Sequence, residues 1–168
     1  MMKLKNKVAF IALTFALLTA VAACEEDGYA DYDAGGTETQ TMNGEWYITI
    51  IDETSGEVQV ENALHKTYDN NGRLFITDRL GTGFTGWWLE SALDADLSNL
   101  TFTATDEMNF ADESSVTITE GKIIKNGGHS TSGVVVDSIY FKAVFDYEPT
   151  QTLIYAGHKR TGFEEDEH

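Results

Sequence analysis

The sequence is short of cysteine, proline, positive charge and long apolar runs, and each scarcity excludes something. Its one cysteine, Cys24, cannot close a disulfide within the chain. No cysteine pair or His-x-x-x-His spacing suggests a zinc site. Lysine and arginine total 11 against 28 aspartates and glutamates, a net charge of −17. Such a chain lacks the basic face that nucleic acid and anionic lipid head groups require, so neither is an expected partner. The mostly apolar run from Val8 to Val21 is shorter than the roughly 20 residues of a transmembrane helix. The single proline, Pro149, falls in the turn signal "EPTQ", and no long helical pattern is present.

What is present begins with that apolar run. It follows Lys3, Lys5 and Lys7 and ends in Val21-Ala22-Ala23-Cys24. A basic start, an apolar middle and small residues before a cut predict a secretory signal over residues 1–23. Val21-Ala22-Ala23-Cys24 resembles the lipobox of bacterial lipoproteins, which implies lipidation of Cys24. Each buried methylene contributes about 0.8 kcal/mol, so two or more acyl chains anchor a protein stably without spanning the bilayer. Residues 24–43 are acidic, rich in Gly and Thr and without apolar period, and read as a flexible tether. Acid directly after the cysteine resembles the surface-export signal of lipoproteins from Bacteroides and its relatives. The expected location is the outer membrane, facing the cell exterior.

Residues 44–163 are the size of one domain, with an acidic tail expected over 164–168. Period-two alternation recurs in "EWYITII", "RLFITD", "GWWLES", "NLTFTAT", "SVTIT", "DSIYFKAVF" and "TLIYAGHKR", with weaker runs near Val58–Val60 and His65–Tyr68. Turn signals such as "DNNG", "TEGK" and "NGG" separate them. "ESALDADL" has leucines at helical spacing, but a strand through Trp87, Leu89 and Leu93 is preferred. The expected fold is all-β: one antiparallel up-and-down barrel of about eight strands, which removes exposed edges.

Gly44-Glu45-Trp46 opening the first strand and Arg160 closing the last resemble the lipocalin (calycin) pattern. The resemblance implies barrel closure by Gly44, Trp46 and Arg160, the guanidinium lying over the indole as a cation–π contact. A closer resemblance rests on "GEWYITI", "LTFTAT", "ITEGKIIKNGG", "TSGVVVDSIYFKAVF" and "YAGHKRTGFEEDEH". These are similar to the Bacteroides lipoprotein family called lipid-binding putative hydrolases, which implies a lipocalin-like barrel and a lipoprotein signal. No catalytic residue of a known hydrolase transfers by motif.

Searched directly for chemistry, the residues favour binding over catalysis. "GHSTSG" (128–133) approaches a Gly-x-Ser-x-Gly elbow, but its fifth position is Ser132 and a strand, not a helix, is expected after it. Ser130 and Ser132 have no evident base, and the expectation leans against an enzyme. Asp94-Ala95-Asp96-Leu97-Ser98 lacks the glycine and terminal glutamate of a calcium loop, so no metal or cofactor is expected. The aromatics remain. Phe84, Trp87, Phe102, Phe141 and Phe145 are the candidate ligand-binding residues, although the same side chains would serve equally to fill a core. Trp88 beside Tyr140 could instead form an outer patch for a glycan or protein. The reading is a membrane-anchored lipoprotein whose barrel takes a small apolar or amphipathic ligand such as a lipid. A lipid or ester hydrolase is the alternative.

Overall fold

The computed structural model describes residues 36–78 and 87–168. Cys24, Phe84 and most of the expected tether lie outside them. Thr37–His168 forms one compact unit.

Eight antiparallel strands follow one another around a closed barrel: β1 (Gly44–Asp52), β2 (Val58–Asn70), β3 (Arg73–Thr77), β4 (Glu90–Asp96), β5 (Thr101–Asn109), β6 (Ser114–His129), β7 (Val135–Phe145) and β8 (Leu153–Lys159). Closure comes from β1 pairing with β8, Trp46 opposite Lys159 and Ile50 opposite Tyr155. This is the expected up-and-down architecture. "ESALDADL" is strand, as preferred, because Leu89, Ser91 and Leu93 alternate inward against Leu74 and Ile76 of β3.

Two strands exceed what alternation predicts. The weak runs around 58–60 and 65–68 are one strand, β2, whose pattern slips where Asn62 takes φ 51° and the pairing shifts between Ile48 and Ile50. Similarly, β6 extends far beyond "SVTIT", with left-handed Glu120 and Asn126 at its two shifts against β7. A bulge inserts a residue, bends the strand and resets the period, so a period-two scan breaks there. Gly121 follows the first of these. A Cβ on it would overlap the carbonyl and ring of Phe102, which leans across the bare backbone. The "DNNG" turn is as expected: Asn71 and Gly72, both at positive φ, form a two-residue hairpin between Asn70 and Arg73.

Both chain segments flanking the barrel pack on it more than their polarity suggests. Gln40–Met42 forms a 3₁₀ turn with Met42 fully buried, so the barrel unit starts before the expected limit of the tether at residue 43. At the other end Glu164–Asp166 is a second 3₁₀ turn with Asp166 buried. The acidic tail is docked, not solvated.

Candidate functional site

The inward residues stack in layers along the barrel. At the end where β1 begins, Met42 and Trp46 close the interior. The Trp46 indole donates to Thr67 Oγ1 at 2.9 Å, and that hydroxyl donates to the Met42 carbonyl at 2.6 Å. Two buried polar groups are thereby satisfied by the element that plugs the end.

Arg160 lies at this end but not over the indole. Strand parity decides the matter. Trp46 points inward beside its cross-strand partner Lys159, while Arg160 sits beside Glu45 on the outer face, its backbone N–H donating to the Glu45 carbonyl at 2.8 Å. The guanidinium meets Glu45 Oε2 at 2.6 Å and grips Glu167 through Nε and Nη2, both at 2.8 Å. The expected cation–π closure is corrected: two carboxylates compete for the cation from the polar face, so Arg160 ties the tail to the first strand. At Gly44 a Cβ would crowd Trp46 Cζ2 and Lys159 Cε at 3.2 and 3.3 Å.

The serines form part of the same clasp. Asp166 accepts from the Ser132 backbone N–H at 2.6 Å and from Thr161 Oγ1 at 2.7 Å. Burial works to raise its pKa, but these donors outweigh it and hold the carboxyl at about 2. Ser130 Oγ accepts from the Val134 N–H and lies 3.2 Å from Ser132 Oγ. His168 reaches Thr131, and His158 Nε2 is buried without a partner. Among the described residues, no hydrogen bond joins a serine to a histidine. Neither is there a group of three or more His, Cys, Asp or Glu placed to hold a metal. The Asp96 carboxylate of the "DADLS" turn is filled by donors from Ser98 and Asn99. An open groove of about 390 Å³ lies beside this end, near Thr39, Arg73 and Leu97, where Arg73 is already paired with Asp94 and Glu107.

In the middle of the barrel Phe141 stacks on Tyr155 with centroids 4.4 Å apart, and Phe102 meets Phe141 at 5.8 Å. Phe102, Phe141 and Phe145 are all buried. His65 and Tyr155, which the sequence reading passed over, come together here edge to face at 5.8 Å. Both are fully buried, and neither His65 Nε2 nor the Tyr155 hydroxyl has a partner. Burial lowers the imidazole pKa to about 4, leaving it neutral. Burial, with the charge of Asp78 and the nearby Tyr147, raises the Tyr155 phenol well above its usual range. The signal for Tyr155 was its alternation with Leu153 in "TLIYAGHKR". For His65 it was hidden by the slip at Asn62.

The opposite end of the barrel, referred to as its mouth, is aromatic. Trp87 stacks on Phe145 at 6.0 Å and on Tyr147 at 6.3 Å, nearly parallel to the latter. Trp87 is half-buried against the core, while its neighbour Trp88 takes φ 46° and stays 51% exposed, so one indole faces in and one out as alternation predicts. Asn109 positions this approach: it accepts from the Glu90 N–H at 2.8 Å and donates to the Trp88 carbonyl at 2.8 Å. Trp88 and Tyr140 do not form one outer patch, because Trp88 leads into β4, Tyr140 is on β7, and β5 and β6 stand between those strands. Tyr140 instead receives Lys122 Nζ 5.0 Å above its ring.

No curated protein matches the chain. The family described as "lipid-binding putative hydrolase" matches residues 31–164, which takes in the Gln40–Met42 turn and all eight strands and stops at the first residue of the Glu164–Asp166 turn. An eight-stranded barrel with a lipocalin-like course, plugged at one end and aromatic at the other, and a match of this extent place the chain in that lipid-binding family.

Proposed function

We propose that the protein is a lipid-anchored outer-membrane lipoprotein, facing the cell exterior, whose barrel binds a small apolar or amphipathic lipid without catalysis. The observation that carries the ligand reading is the stack at the mouth, where the partly exposed rings of Trp87 and Tyr147 lie on the buried ring of Phe145 and so adjoin the barrel interior. The family match supports the same ligand class. Binding is favoured over hydrolysis because the loop serines bond to Val134, to each other and to the docked tail.

The anchor rests on the sequence alone, on the basic, apolar and small-residue order ending at Cys24. Cys24→Ser should release the chain from membranes or leave its precursor uncut, and wild-type protein found wholly soluble would overturn anchoring. The ligand is tested by native mass spectrometry of the purified protein with extraction of what it carries. A lipid adduct supports the reading. Ester cleavage that Ser130→Ala abolishes would reverse it in favour of a hydrolase.

A further inference from the structure

Among the described residues, the polar atoms buried in the barrel without a hydrogen-bond partner include His65 Nε2 and the Tyr155 hydroxyl. Their side chains are fully buried and their rings meet at 5.8 Å across neighbouring inward positions of β2 and β8, which flank β1. A barrel that needed only filling would place Leu or Phe at both positions, because a buried polar group without a partner is destabilising. At the plugged end, by contrast, Trp46 and Thr67 show that this fold satisfies its interior polar groups where only closure is required.

The chemistry of the two atoms is complementary. His65 Nδ1 lies 2.9 Å from the Ala63 carbonyl, which can only accept, so Nδ1 carries the ring proton and Nε2 presents a lone pair. The imidazole is neutral, since its burial opposes protonation. Tyr155 keeps its proton and presents a donor. A ligand that completes both must donate to nitrogen and accept from oxygen. A hydroxyl does both. A carboxylate offers only acceptors and would meet the nitrogen lone pair and the charge of Asp78, while an ammonium offers only donors.

We propose that the interior recognises the hydroxyl end of a neutral long-chain lipid, which donates to His65 Nε2 and accepts from Tyr155 while its tail runs past Phe145 toward Trp87. The proposal rests on the reading of the barrel as a lipid-binding cavity and names the class of lipid and the residues that select it. Tyr155 is placed for this by stacking on Phe141, which fixes its ring. His65 is oriented by its bond to Ala63.

The test is titration of the full chain, followed by tryptophan fluorescence, with four ten-carbon probes: 1-decanol, decyl methyl ether, decanoate and decylamine. The alcohol should bind about tenfold more tightly than the ether, about 1.4 kcal/mol, because only the alcohol can donate to Nε2. His65→Leu should abolish that gap, and Tyr155→Phe should weaken alcohol and ether alike. The wild-type ranking decides the question even if a variant does not fold. Equal affinity for alcohol and ether overturns the proposal and leaves lipid binding standing, the two atoms then being served by internal water. Tightest binding of decanoate or decylamine overturns it equally. No saturable binding of any probe overturns the lipid-binding reading and this proposal together.

Discussion

The two ends of the barrel are built from similar residues and do different things. At the plugged end Trp46 is buried and hydrogen-bonded, Met42 covers it, and Arg160, Asp166 and Glu167 clasp the tail to the strands. At the mouth Trp87 is only half-buried, its aromatic partners are stacked beside it, and below them the hydroxyl of Tyr155 has no partner. An aromatic ring with all its groups satisfied is part of a wall. One left half-exposed above unpaired polar atoms is surface available to a ligand. The comparison assigns closure to one end and the proposed recognition to the other, and it can be broken from either side.

The largest effect is expected from Trp46→Ala. It empties the most voluminous fully buried side chain and leaves the Thr67 hydroxyl without its donor, so unfolding in denaturant should show a loss of about 3–5 kcal/mol. A change much below that would mean the plugged end is not a structural closure.

Acid comes next. His65 has a folded-state pKa of about 4 against 6.5 for the free side chain, so between those values the unfolded chain binds the extra proton. Its contribution is therefore complete above pH 6.5 and is lost as pH falls toward 4, by roughly 3 kcal/mol in all. Thermal unfolding of wild type and His65→Leu across this window should show a steeper fall for wild type. Parallel curves would mean that the imidazole is hydrated or already protonated in the folded barrel.

A smaller loss is expected for Arg160→Ala. The guanidinium holds Glu45 and Glu167 at the outer face, where solvent screens the pairs, so about 1 kcal/mol is expected, diminishing in salt. A loss as large as that for Trp46→Ala would restore the stacked closure that the lipocalin pattern implies. Trp87→Ala should cost least in stability, about 0.5 kcal/mol, since the ring is half-exposed. Yet it should lower the affinity for 1-decanol several-fold in the same fluorescence titration, read from the remaining tryptophans. Unchanged affinity would move recognition away from the mouth.

Much of the fold was legible because alternation is a local property. In "DSIYFKAVF" every second side chain is apolar, and Ile139, Phe141, Ala143 and Phe145 are all buried in β7. The slips at Asn62, Glu120 and Asn126 were illegible because a bulge shifts the period without a residue type that announces it. The same limit hid half of the candidate site. Trp87 could be assigned inward from its phase with Leu89, but His65 lies just beyond a slip, and its partner Tyr155 is remote in sequence.

By itself, the sequence determined the strand character of the chain, its separation into an apolar N-terminal run, an acidic segment and a barrel-sized remainder, and its excess of acid. These follow from composition and from periods a few residues long. Only the tertiary structure decided which way Arg160 points, that the acidic tail is a clasp, and that His65 and Tyr155 share one interior. A cross-strand neighbour is chosen by register, and register is set by barrel closure and bulges acting across the whole sheet.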